Sequence, residues 1–202
     1  MFGSANAYRH FAGQIAARAG LTTFVVEYRL APEHPFPAAV EDTRAVAAGL
    51  DSAFAVAGDS AGAALALLLL ADRARRPLRG LLLSPWIDLA LAGVSMTSRA
   101  AEDPLLSRAA LERGGAAYLN GRSSRDPIAS PLYGDLRELP PTQVHVGTAE
   151  VLLDDSIRLA AETPIELHVW DGMPHTFLRN VRTMVAARAA LDLAGQFLGG
   201  AR

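Results

Sequence analysis

Apolar positions recur along this chain in two alternating rhythms. Residues 7–19 carry Tyr8, Phe11, Ile15 and Ala19 at helical spacing, with Gly20 placed to cap the end. Residues 21–28 switch to Leu-Thr-Thr-Phe-Val-Val-Glu-Tyr, a β-branched and aromatic run that predicts a buried strand. Three prolines within Pro32 to Pro37 then forbid regular structure and predict a rigid loop over 29–37. A helix is expected from 38 to about 50, a strand over 53–58, a buried helix over 63–71 and a strand over 78–84, closed by Pro85.

Residues 86–120 interrupt that alternation. No strand is visible there, although Ser107 is placed to N-cap a helix running to Leu119. Residues 122–141 read as a polar, proline-containing loop. The rhythm resumes with a strand over 142–146, a helix over 153–162, a strand over 165–170 and an amphipathic closing helix over 181–198. Strands that alternate with helices predict an α/β domain, a mostly parallel sheet with helices on both faces. One domain accounts for all 202 residues, without internal repeat or low-complexity linker.

Composition narrows the function. Half of the residues are hydrophobic, 20% are charged and the formal net charge is −2, which is ordinary for a soluble globular protein. The arginines are scattered, so no nucleic-acid groove is expected; Arg73, Arg75 and Arg76 read as the solvated C-terminal end of a helix. There is no cysteine, which excludes disulfides, thiolate metal sites and a cysteine nucleophile. The longest apolar run, 63–71, is far too short to span a bilayer, and no secretory signal precedes Ser4, so the expectation is a cytoplasmic protein.

The chemistry gathers where the 53–58 strand meets the 63–71 helix, at Gly58-Asp59-Ser60-Ala61-Gly62. Gly-x-Ser-x-Gly occurs by chance in roughly one chain in fifteen of this length, so the strand-turn-helix context has to carry the reading. That context is the nucleophile elbow of an α/β-hydrolase: a strained turn that lifts the Ser60 hydroxyl above the sheet, with glycines where strand and helix approach. The helix N-terminus behind Ser60 favours developing negative charge, and Asp59 is expected to cap that helix. Acyl transfer by serine also needs a base and an acid to orient it, in the order Ser, acid, His. His175, in Trp-Asp-Gly-Met-Pro-His-Thr-Phe just past the last strand, is the candidate base. His145 and His168 fall inside strands, His10 on the first helix and His34 in the proline loop. Glu150 follows the 142–146 strand most closely and is the candidate acid, with Asp154 as the alternative. Trp86 and Trp170, each at a strand end, are candidates for an acyl pocket or for the core.

These stretches resemble the hormone-sensitive-lipase-like family of bacterial esterases, within the α/β-hydrolase fold. The matches include Tyr28-Arg29-Leu30-Ala31-Pro32-Glu33, Gly58-Asp59-Ser60-Ala61-Gly62, Leu83-Ser84-Pro85-Trp86, Asp103-Pro104-Leu105-Leu106, Ser130-Pro131-Leu132 and Gly172-Met173-Pro174-His175-Thr176-Phe177. The resemblance implies a serine carboxylesterase acting on short- to medium-chain acyl esters, with Ser60 as nucleophile, His175 as base and Glu150 as acid. The Ala61 N–H would belong to the oxyanion hole. It implies no metal and no organic cofactor, residues 88–133 as part of a cap and acyl pocket, and a homodimer paired through the last strand. An amide or lactone hydrolase using the same residues is the alternative chemistry.

One departure stands out. The family's His-Gly-Gly-Gly oxyanion loop does not occur in the chain, whose opening Met1-Phe2-Gly3-Ser4 resembles the family's residues immediately after that loop. The resemblance thus implies an N-terminally truncated hydrolase: a fragment, a start assigned at an internal methionine, or a reduced relative with impaired catalysis. One of the family's earlier strands lies between those matched by 21–28 and 53–58. Its loss predicts either an unpaired gap or new strand neighbours.

Overall fold

The computed structural model describes residues 3–74 and 77–200. Four strands, β1 (Val56–Asp59), β2 (Gly80–Leu83), β3 (Thr142–Gly147) and β4 (Glu166–Trp170), form one fully parallel sheet in the order β1-β2-β3-β4. Alternation along β2 shows how the layers are set. Leu81 and Leu83 face one side, where they pack with Ile15, Phe177, Leu191 and Leu198. Leu82, between them, faces the other and packs with Leu67, Leu70, Val144 and Leu159. A strand buried on both sides tends to read as a nearly continuous apolar run, and all four β2 residues are buried.

The first side is covered by α1 (Ala5–Ala19) and α7 (Val185–Gly199), the second by α3 (Ala61–Ala71) and α6 (Leu153–Glu162). The expected α/β architecture with helices on both faces is what the chain adopts. Ser4 Oγ caps α1 by accepting the Ala7 N–H at 3.2 Å, and Gly20 ends it at φ 65°. Helix α2 (Ala38–Ala48) follows the proline loop. Arg29 joins the two, its guanidinium on Asp42 at 2.8 Å and on Glu41 at 3.1 Å. Beyond β2 lie a single turn, α4 (Ser95–Ser98), and α5 (Arg108–Leu119), capped by Ser107 as expected. Tyr118 and Leu119 of α5 pack with Val40 of α2 on Leu65 and Leu68 of α3.

Three expectations need correction. Residues 21–28 form no strand: among the described residues the segment joins no ladder, and Phe24 is 75% and Val25 37% exposed. Of the two outcomes predicted for this region, the unpaired gap is the one found. β-propensity measures fit to a pleated, half-buried surface, and without a pairing partner that preference has nothing to act on. Second, α7 begins at Val185 rather than 181, because the N–H groups of Thr183 and Met184 close a turn on the Asn180 carbonyl. Third, the 122–141 loop contains a 3-10 turn at Pro131–Tyr133. Arg73 lies past the end of α3, paired with Glu138 at 3.4 Å and Asp135 at 3.5 Å; Arg75 and Arg76 lie outside the described residues, as do Met1 and Phe2. No helix among the described residues is long and apolar enough to cross a membrane.

Candidate active site

All four strands run the same way, so their C-terminal ends share one rim, where ligand sites of parallel sheets form. Each strand delivers one polar group there. Ser60 follows β1, Ser84 follows β2, Glu150 lies three residues past β3, and His175 five past β4.

The β1 turn is strained at its centre. Ser60 has φ 52° and ψ −120°, while its N–H still reaches the Leu83 carbonyl at 2.9 Å, so the ladder continues into the turn. A Cβ at Gly58 would run into the Gly62 carbonyl, so Gly58 has to be bare. Gly62 is different: a Cβ there would meet Tyr28 Oη at 3.8 Å and Asp59 Oδ1 at 3.9 Å, ordinary contacts. The first glycine, not the second, sets the turn. Helix α3 starts at Ala61, whose N–H precedes the intrahelical ladder and is oriented by the start of the helix.

Ser60 Oγ lies 2.9 Å from His175 Nε2, and His175 Nδ1 lies 2.8 Å from Glu150 Oε2. Glu150 is fully buried and His175 nearly so. The other Glu150 oxygen, Oε1, accepts the Gly147 N–H at 2.7 Å and the Ser84 hydroxyl at 2.8 Å. The segment carrying Glu150 is pinned from residues 88–133: Asp103 Oδ2 accepts the Val151 N–H at 2.9 Å, and Ser95 Oγ donates to the Val151 carbonyl at 2.6 Å. Beside Ala61, a cavity of about 30 Å³ is walled by Tyr28, Leu65, Trp86, Leu89 and Tyr118.

A polar relay at a strand-to-helix turn recurs on unrelated hydrolase folds, so geometry alone does not separate kinship from convergence. Residues 1–179 match the family model described as alpha/beta hydrolase fold. A solved esterase of the bacterial hormone-sensitive lipase family is 40% identical, covers 98% of this chain and 72% of its own, and superposes with a TM-score of 0.91. The chain belongs to the hormone-sensitive-lipase-like α/β-hydrolases. An acetyl-hydrolase of Streptomyces hygroscopicus is 39% identical over 97% of this hydrolase and 71% of its own length. An esterase of Acinetobacter venetianus is 37% identical over 95% and 69% respectively. The family is one of carboxylic ester hydrolases.

Other candidate residues of the hydrolase are placed elsewhere. Asp154 turns away from His175: its Oδ2 accepts the Ser95 N–H at 2.9 Å and its own N–H donates to Ser95 Oγ at 3.0 Å. Asp59 does not cap α3; its Oδ2 accepts the Tyr8 hydroxyl at 2.9 Å. Burial first of all pushes the Asp59 carboxyl up, against the Tyr8 hydrogen bond, Arg179 and His175, which pull it down. His145 is buried in β3, where its Nδ1 accepts the Trp170 indole N–H at 3.1 Å. The ring proton therefore sits on Nε2, 2.9 Å from the Gln143 side-chain oxygen. Burial, with His168 stacked on it at 4.7 Å, lowers the His145 pKa to about 3, so it stays neutral. Trp86 lines the cavity, whereas Trp170 packs on His145 and Phe177. His10 and His34 are exposed. No cluster of His, Asp or Glu suited to a metal ion occurs among the described residues.

Ser84 is the residue that sequence reading passed over. The signal was there in part: a serine at a strand's C-terminal end, held by a following proline, next to the elbow strand.

Proposed function

We propose that this hydrolase cleaves short- to medium-chain acyl esters through an acyl-enzyme on Ser60. The observation that carries the reading is the unbroken path Ser60 Oγ–His175 Nε2 (2.9 Å) and His175 Nδ1–Glu150 Oε2 (2.8 Å), buried at its acid end. Ser60 Oγ attacks the ester carbonyl carbon as its proton passes to His175 Nε2. Glu150 keeps the imidazole oriented and stabilises the imidazolium that forms. The tetrahedral oxygen takes up negative charge facing the Ala61 N–H at the start of α3. The carbon–oxygen bond to the alcohol then breaks, and the departing oxygen takes the proton from His175 Nε2. Water attacks the acyl-serine, His175 accepts its proton and returns it to Ser60, and the carboxylic acid leaves.

The cavity beside Ala61 suits the acyl group. Its walls are mostly apolar, and a single water needs on the order of 10–15 Å³, so about 30 Å³ is room for the first carbons of an acyl tail. Residues 88–133 supply Leu89 and Tyr118 to that wall, and we read them as part of a cap and acyl pocket. Among the described residues the outer edge of β4 has no partner strand, and we propose that two copies pair along it.

The test is turnover of p-nitrophenyl acetate and p-nitrophenyl butyrate, with Ser60→Ala as control and fluorophosphonate labelling alongside. Turnover and labelling that both vanish in Ser60→Ala support the reading; a folded chain that neither turns over nor labels refutes it. Losing an oxyanion donor costs about 100- to 1,000-fold, so labelling without measurable turnover would mark a weakened catalyst. An amide and a lactone in the same assay separate the alternative chemistries.

A further inference from the structure

Of the five described residues other than glycine with positive φ, three lie in one hydrogen-bonded group: Ser60 (φ 52°), Ser84 (φ 45°) and Thr176 (φ 52°). Ser60 is accounted for by the elbow. The other two meet at the Ser84 hydroxyl, which is fully buried, accepts the Thr176 N–H at 2.9 Å and donates to Glu150 Oε1 at 2.8 Å. A hydroxyl has one proton to give and lone pairs to receive, and here the single proton goes to the candidate acid. The Ser84 N–H is occupied separately, by the His145 carbonyl at 2.8 Å, so the residue's backbone is tied to β3 while its side chain faces the site.

These contacts close a ring. From His175 Nδ1 the path runs to Glu150, through its carboxylate to Ser84 Oγ, on to the Thr176 N–H, and along one peptide back to His175. The imidazole is held at two points, by its own ring nitrogen and by the backbone next to it, and both ties converge on the Glu150–Ser84 pair. We propose that Ser84 is a positioning residue for the proposed ester hydrolysis, fixing Glu150 and the His175 loop relative to each other. This rests on the roles proposed above for Ser60, His175 and Glu150. It assigns Ser84 no contact with substrate and no proton transfer of its own.

The geometry argues against mere filling of space. An apolar side chain at residue 84 would fill the volume but leave the half-buried Thr176 N–H without this partner and Glu150 Oε1 with the Gly147 N–H alone. The left-handed backbone costs a serine strain that a glycine would not bear, so the hydroxyl is what the strain is held for.

Two variants test this, Ser84→Ala and Ser84→Gly; glycine relieves the backbone and protects folding while still deleting the hydroxyl. Kinetics on p-nitrophenyl butyrate are read beside the NMR signal of the His175 Nδ1 proton and its exchange with water. A hydrogen bond to a charged group contributes about 1.5–3 kcal/mol, so kcat is expected to fall about tenfold or more, with KM within about twofold. The Nδ1 proton is expected to exchange faster in both variants. Unchanged kcat in a folded variant, a loss confined to KM, or an Nδ1 proton as protected as in the parent would each overturn the proposal. The NMR readout needs no turnover. A parent chain without esterase activity therefore refutes the proposed function, while Ser84 is still judged on that proton.

Discussion

The Tyr8 hydroxyl donates to Asp59 Oδ2 at 2.9 Å, joining α1 to the residue that precedes the proposed nucleophile. Arg179 lies 4.5 Å over the Tyr8 ring and donates to the same hydroxyl at 3.3 Å. The Tyr8 hydroxyl is pushed up to about 12, by burial first and then by Asp59, so it remains a donor at every working pH. Tyr8→Phe removes a hydrogen bond that lowers the raised Asp59 carboxyl. The cost falls on the charged form of Asp59. Urea unfolding is expected to show a loss of about 1–3 kcal/mol at neutral pH and a smaller loss at lower pH, as the carboxyl takes up its proton. Equal losses at both pH values would remove Asp59 from the account.

Asp155 gives a second pH dependence, with the sign fixed by burial. Its Oδ2 accepts the N–H groups of Ile87 at 2.8 Å and Asp88 at 3.0 Å, while Oδ1 has no protein partner. Burial raises its pKa from 3.8 to about 7, against those two hydrogen bonds. The folded chain therefore holds a proton that the unfolded chain releases. This contribution is complete below about 3.8, declines as the pH rises, and is gone above about 7. Replacement by asparagine should flatten that part of the profile. In paired urea titrations from pH 5 to 8, Asp155→Asn is expected to gain on the parent by on the order of 2 kcal/mol. A constant difference across that range would contradict the assignment.

The two carboxylates considered for the acid role separate cleanly by mutation. Glu150→Gln keeps the shape but loses the anion beside His175, and kcat is expected to fall about 10³–10⁴-fold, as in other hydrolases of this logic. Asp154→Asn disturbs only the pairing with Ser95 and should keep activity within about threefold. Steady-state kinetics on one ester suffice, and the reverse ranking would exchange the roles.

The elbow glycines should also differ. Gly58→Ala places a methyl against the Gly62 carbonyl and is expected to cost several kcal/mol, on the order of 3–5, or prevent folding. Gly62→Ala meets only ordinary contacts and should fold with a midpoint near that of the parent. Thermal unfolding followed by circular dichroism distinguishes them.

Much of this was legible in the sequence because the signals were local. The Gly58-to-Gly62 turn, the Ser107 cap and the apolar strands at Val56, Gly80 and Thr142 each depend on neighbours within a few residues. Residues 21–28 were not legible: a strand exists only as part of a ladder, and propensity is silent about who pairs with it. Asp59 was misread for a related reason, since a carboxylate beside a helix start resembles a cap until Tyr8 arrives from 51 residues away. Ser84 needed still more, because its partners lie 66 and 92 residues distant and meet it only once β2, β3 and the His175 loop are assembled.

The one-group-per-strand rim has a consequence for how the molecule can fail. A shift of one residue along any ladder would move a strand end by about 3.3 Å and turn its side chains to the opposite face. No hydrogen bond in the ring tolerates that displacement. Turnover is thus an assay of sheet alignment, reporting at once on all three interstrand registers and falling silent if any one of them slips.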